Sequence, residues 1–215
     1  MTTATSPGYE GACWRCDERT GLSPACGSCQ APQPIGPEAD HYSVLGVERS
    51  LVVDQGMLER RYHDLARSVH PDRHQMTDAR STTLSVQATA AINRAYRTLR
   101  DPVARGRYWL ELHGEALGRD NNAVPPALAV LVFEVQEQLE ALRETPGSAG
   151  VRAAVETARA ELRHRLAQET ETLASRYARW GAPDDAETLA ELKGRLTEIA
   201  YLTTLEADVE RALEI

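Results

Sequence analysis

Apolar residues recur at helical spacing along most of this chain, and a proline stands at nearly every point where that spacing fails. Pro71, Pro102, Pro125-Pro126, Pro146 and Pro183 punctuate it. A proline lacks the backbone donor a helix interior needs and biases the residue before it away from helical dihedrals, so each marks a helix boundary. Between those stops the stripes are regular. Leu58, Tyr62, Leu65, Ala66 and Val69 fall on one face; Leu84, Ala88, Ala91, Ile92, Ala95 and Leu99 repeat the pattern after Pro71. Alanine, leucine, glutamate and arginine are plentiful and aromatics make up only 5% of the residues. Together these predict an all-α chain.

Ahead of the helices lies a different kind of segment. All four cysteines fall in Cys13-Trp14-Arg15-Cys16 and Cys26-Gly27-Ser28-Cys29. Each Cys-x-x-Cys can turn two thiolates toward one ion, and two such turns supply the four-sulfur tetrahedral shell preferred by structural zinc. Gly27 is expected to relax the second turn. The competing chemistries are disulfides, a redox pair and an iron centre. The first suits an oxidising compartment, the second a strand–helix context that is missing here, and iron is the minor alternative because four thiolates would hold it too. A closed four-sulfur shell leaves no position for substrate water, so the ion, Zn2+ by preference, is expected to be structural. Residues 1–39 read as this knuckle followed by the proline-rich linker Gln30-Ala31-Pro32-Gln33-Pro34-Ile35-Gly36-Pro37.

Residues 40–114 read as a second unit. Asp40 is positioned to cap a short helix anchored by Tyr42, Val44 and Leu45 and stopped by Gly46; Asp54 precedes the longer helix whose outer face carries Arg60, Arg61, Asp64 and Arg67. That helix ends near Val69, which places His70-Pro71-Asp72 in a loop. Beyond it the two stripes match in length and predict an antiparallel hairpin. Val103 to Leu112 reads as a further short helix.

Residues 115–215 read as a three-helix bundle entered at Pro125-Pro126 and broken near Thr145-Pro146-Gly147-Ser148 and Gly181-Ala182-Pro183-Asp184. Its stripes are Leu128, Leu131, Val135, Leu139 and Leu142; Val151, Val155, Ala158, Leu162, Leu166 and Leu173; and Leu189, Leu192, Leu196 and Ile199. Ala127 to Phe133 is apolar all round, more than a core-facing stripe requires, and Tyr201, Leu202 and Leu205 likewise exceed one stripe.

Charge separates the parts. Residues 40–110 carry 11 basic and 8 acidic side chains, whereas 111–215 carry 11 and 20, within a total of −8. This balance disfavours phosphate-driven nucleic-acid binding and suits two surfaces with different partners. No apolar run approaches the roughly 20 residues of a membrane span, and Met1 to Glu10 lacks the plan of a secretory or transit segment, so a cytoplasmic location is expected. Enzymatic use of His70 and Asp72 is disfavoured, since nothing in the pattern suggests a nucleophile, a pocket or a phosphate-cradling glycine loop.

The middle unit resembles a J domain. Asp40-His41-Tyr42-Ser43-Val44-Leu45-Gly46-Val47, the basic helix ending in Arg67-Ser68-Val69-His70-Pro71-Asp72-Arg73, and Ile92-Asn93-Arg94-Ala95-Tyr96-Arg97-Thr98-Leu99-Arg100-Asp101-Pro102 carry the likeness in order. It implies that His70, Pro71 and Asp72, with Arg60, Arg61 and Arg67, dock on a DnaK-class ATPase chaperone. Ala104-Arg105-Gly106-Arg107-Tyr108-Trp109-Leu110-Glu111-Leu112-His113-Gly114 extends the likeness to the HscB family of iron–sulfur co-chaperones, including members with an N-terminal cysteine-pair module. That resemblance implies a non-enzymatic co-chaperone with two partners, an HscA-like chaperone and an IscU-type scaffold protein. It carries the scaffold-binding patch onto Ala129, Val130, Phe133, Tyr201, Leu202 and Leu205. Here the chain departs from the family, with Leu128-Ala129-Val130-Leu131 where larger side chains and an acid are usual. A general J-domain co-chaperone, its bundle used for other clients or for oligomerisation, is the alternative.

Overall fold

The computed structural model describes residues 11–74, 78–117 and 124–214. Met1 to Glu10 and the Asn121-Asn122 boundary lie outside the described residues. The described residues hold only helices and two isolated β-bridges. The chain divides into two compact units, Met1–Arg105 and Gly106–Ile215.

In the first unit, α1 (His41–Leu45) is started by Asp40, whose carboxylate accepts the Ser43 N–H while the Ser43 hydroxyl accepts the Asp40 N–H. This reciprocal pair satisfies two donors that a helix start would otherwise leave open. Gly46, at φ 63°, closes the helix in the left-handed conformation that a side chain would resist. Helix α2 (Gln55–Ser68) is capped by Asp54, and α4 (Ala79–Arg100) by Asp78. Between them Pro71–His74 forms a single helical turn, α3. The expected loop is therefore only partly a loop: His70 is non-helical, and Pro71 begins a turn, because its preset φ suits a first helical position and its missing N–H costs nothing there.

Helices α2 and α4 pack as the expected hairpin, with α1 laid against α4. Leu84, Ala88, Ile92, Ala95 and Leu99 of α4 are buried with Tyr42, Leu45, Leu51, Leu58 and Val69. Tyr62 stacks on Tyr96 with ring centroids 4.2 Å apart and donates its hydroxyl to Asn93 at 3.1 Å. Arg105, 5% exposed, donates to the Leu99 carbonyl and so places a cation on the last turn of α4, where the helix dipole favours one.

In the second unit, α5 (Pro102–Leu112) contributes its residues from Gly106 onward; α6 (Ala129–Glu144) follows a short 3-10 turn at Pro126–Leu128, and α7 (Ala149–Trp180) and α8 (Ala186–Leu213) complete it. Helices α7 and α8 have 32 and 28 residues and α6 has 16. At 1.5 Å per residue, α6 covers about half of the hairpin it packs on. Leu128, Val132, Val135, Leu139 and Leu142 meet Val155, Ala158 and Leu162 of α7 and Leu202, Leu205, Val209 and Leu213 of α8 in one core. Part of the remaining half is met by α5, at Gly106 and Trp109. A methyl group on Gly106 would lie 2.3 Å from the Tyr177 hydroxyl and 3.3 Å from Leu192 and Leu196 side-chain carbons, so only glycine permits this approach. The Trp109 indole donates to the Pro183 carbonyl at 2.9 Å.

Candidate functional site

The cysteine segment folds into two turns built on one plan. Cys13 N–H donates to Glu18 O and Cys26 N–H to Ala31 O; Asp17 N–H returns to Cys13 O and Gln30 N–H to Cys26 O. Asp17 and Gln30, at equivalent positions, take φ of 59° and 58°. The left-handed residue of each turn thus comes four positions after its first cysteine. Gly27, expected to relax the second turn, is not among the residues with positive φ, since the reversal falls three residues later.

The plan converges all four sulfurs, which lie within 4.8 Å of one another. Cys13 and Cys29 are 3.6 Å apart and Cys16 and Cys26 3.7 Å. A tetrahedral ion with bonds of about 2.3 Å requires sulfurs about 3.8 Å apart, and a disulfide about 2.05 Å, so the set fits an ion and excludes bridges. Backbone N–H groups of Arg15 and Cys29 reach Cys13 and Cys26, and the buried Gln33 amide donates to Cys13 at 3.2 Å while held by Ala31 O. Such outer donors orient ligands and spread thiolate charge. Burial opposes ionisation of Cys13, yet the Arg15 and Cys16 N–H groups and the neighbouring sulfurs outweigh it and bring the thiol down to about 6. At Cys16 the Glu18 N–H favours the thiolate, but Cys29, desolvation and the other sulfurs overcome it and push the thiol up to about 12. The four sulfurs are positioned to bind a metal ion, and Cys16 would have to give up its proton to join them. Gln33 escaped the sequence reading because it stands outside both Cys-x-x-Cys turns.

The second constellation surrounds His70. Its side chain is exposed, its Nδ1 accepts the Asp72 N–H at 3.2 Å, and the Asp72 carboxylate stands 3.6 Å from the same ring. The turn is tied below. Ser85 donates its hydroxyl to the Val69 carbonyl, and Arg73 donates to the Arg67 carbonyl at 3.2 Å, which closes the end of α2. An exposed pair on a pinned turn suits recognition, because little order is lost when a partner engages it. A groove of about 460 Å³ runs from the turn along α2, lined by Tyr62, His63, Ala66, Arg67, His70 and Arg73. Arg60 and Arg61 are exposed and make no ion pair among the described residues, whereas Arg67 is paired with Asp64 at 2.6 Å. Arg73, missing from the sequence-derived set, lines the same groove as Arg67.

The third candidate is the outer face of α6. Val130 is 73% exposed and Phe133 65%, and Ala129 is exposed as well. The α8 half of the expected patch is corrected. Leu202 is 0% exposed and Leu205 3%, both turned into the bundle against α6 and α7, so neither offers a face to a partner. Tyr201 is partly buried and packs on that core. The apolar surplus read there was core spanning two neighbouring helices.

Comparison with known proteins follows the same division. The DnaJ domain profile matches residues 40–108. The chain is 30% identical over 204 residues to the iron–sulfur cluster co-chaperone protein HscB of Mus musculus, covering 92% of this chain and 81% of the relative. It is 25% identical over 144 residues to an Arabidopsis thaliana HscB homolog, covering 67% of this chain and 57%, less than two thirds, of that protein. Among solved structures, human co-chaperone protein HscB matches with a TM-score of 0.69 at 25% identity, over 94% of this chain and 98% of that one. Chaperone HscB from Vibrio cholerae shares the fold, with a TM-score of 0.58 at 22% identity over 80% and 96%. The pinned His-Pro-Asp turn between two packed helices, the bundle that follows it and the 30% identity over nearly the whole chain together place this protein in the HscB family of J-domain co-chaperones.

Proposed function

We propose that this chain binds an IscU-type iron–sulfur scaffold through the outer face of α6 and brings it to a DnaK-class, HscA-like chaperone whose ATPase it stimulates through the His70-Pro71-Asp72 turn. The observation that carries the reading is the turn itself: an exposed imidazole–carboxylate pair fixed to the α2–α4 hairpin beside a groove with arginines on its rim.

The chemistry of ATP belongs to the partner. His70 and Asp72 are exposed and stand 3.6 Å apart at one end of an open groove, which suits them to displace contacts in another protein. Arg60 and Arg61, uncommitted on α2, speed encounter with an acidic surface more than they tighten the complex. Ala129, Val130 and Phe133, with the accessible part of Tyr201, form the apolar anchor for the scaffold, and the cluster it carries is the cargo. Holding the scaffold and engaging the chaperone with one chain turns their meeting into an intramolecular event and raises their effective concentration. The four cysteines hold a structural Zn2+, with iron the lesser alternative, and supply no reaction.

ATP turnover of the chaperone tests this directly. Adding the chain is expected to raise turnover, and adding scaffold with it to raise turnover further; a scaffold that adds nothing favours a general J-domain role. Stimulation surviving a His70→Gln change would remove the trigger assignment.

A further inference from the structure

Trp14 follows the ligand Cys13 directly and packs on the sulfur cluster. Its indole N–H donates to the Pro32 carbonyl at 2.7 Å, and Pro32 bridges to Ala25, the neighbour of Cys26. The ring is therefore held by both cysteine turns at once. Above it lies the Arg80 guanidinium, 4.7 Å from the ring centroid. Arg80 belongs to the first turn of α4 and makes no ion pair among the described residues. Beside it Asp78 caps that turn through the Ser81 N–H and hydroxyl, both at 2.7 Å, bonds that hold the Asp78 carboxyl below its usual range with Arg15, between the first two cysteines, adding to the effect. One turn further along α4, Ser85 grips the Val69 carbonyl next to His70, and α3 rests on the same helix.

We propose that Trp14 and Arg80 are positioning residues that clamp the metal knuckle onto the start of α4, so that metal occupancy sets how firmly the floor beneath the His70-Pro71-Asp72 turn is held. The inference rests on the reading of the four cysteines as a metal site. Two physical facts make the coupling work. A four-thiolate knuckle closes only on its ion, so it is a two-state element, ordered when loaded and open when stripped. Coupling is reciprocal: if the loaded knuckle steadies α4, then α4, through Arg80, must steady the loaded knuckle. A cation over an exposed aromatic face changes an equilibrium by about two- to five-fold.

The experiment uses the full chain loaded with Zn2+ and reads the metal, not ATP turnover. Transfer of Zn2+ to a chromophoric chelator is measured for wild type, Arg80→Ala and Arg80→Lys. The alanine variant, altered on an exposed helical face outside the knuckle, is expected to release the ion about two- to five-fold faster, and the lysine variant, which keeps a cation, to stay near wild type. Hydrogen exchange at the Ser81 to Ser85 amides is followed in the same samples. Chelation is expected to raise it in wild type, whereas Arg80→Ala starts high and changes little. Wild-type release from Arg80→Ala, or α4 exchange indifferent to chelation, overturns the clamp. A native mass without a bound ion overturns the metal reading, and the clamp with it, before any variant is made.

Discussion

Truncating Phe133 separates binding from stability on the outer face of α6. A phenylalanine side chain offers roughly 150–250 Å², and Phe133 is 65% exposed, so about 100–160 Å² is available to a partner. At about 25 cal/mol per Å² that is an upper limit of about 2.5–4 kcal/mol. Ordering and incomplete burial reduce it, and Phe133→Ala is expected to weaken scaffold binding by about 1–3 kcal/mol, a 5- to 150-fold rise in Kd. Because the ring is outside the core, the unfolding free energy measured in urea should change by no more than about 0.5 kcal/mol. Leu205→Ala is the counterpart. Its side chain is 3% exposed among α6 and α7 residues, and its loss should cost about 2–5 kcal/mol of stability. Titration calorimetry against the scaffold, paired with urea unfolding, reads both quantities. Undiminished binding by Phe133→Ala would refute the anchor, and a Leu205→Ala protein of wild-type stability that has lost binding would return Leu205 to the surface.

Gly106→Ala should destabilise the protein by about 1–3 kcal/mol in spite of alanine's better helix propensity, since the buried Tyr177 cannot swing away; Tyr177→Phe in the same chain should restore most of the loss, as thermal unfolding of the single and double variants would reveal. Loading the knuckle at pH 7 should release protons, because Cys16, pushed up to about 12, enters the site protonated and must ionise to bind; calorimetry in buffers of differing ionisation heat would count them, and apparent affinity should fall as pH drops toward the Cys13 value of about 6. Neutralising Arg60 and Arg61 together should slow association with the chaperone and flatten its salt dependence while leaving dissociation nearly unchanged, measurable by stopped flow at several ionic strengths.

Much of this architecture was legible before any coordinates. Caps at Asp40 and Asp54 and stops at Pro71 and Pro102 act within a few residues, so sequence neighbours carry the information. The four cysteines were equally plain, since four ligands in two short turns leave few arrangements. Side-chain direction was harder to read. Leu202 and Leu205 broke the single stripe of α8 because that helix meets α7 along its length and α6 along only part of it, a fact set by the unequal helix lengths. Gln33, Arg80 and Arg73 act through contacts made by folding, at spacings that match no repeating pattern. The need for glycine at position 106 is set by Tyr177, 71 residues further along the chain, and no local pattern announces it.

That close approach also bears on how the protein can be divided. A bundle fragment begun after residue 114 keeps α6, α7 and α8 but omits the stretch that meets Tyr177, Leu192 and Leu196 and the indole that tethers Pro183. The lost cover would leave an apolar flank on a long two-helix stem, prone to self-association that could pass for partner binding. A fragment meant to report on the scaffold alone has to begin ahead of Gly106, at the Asp101-Pro102 start of α5.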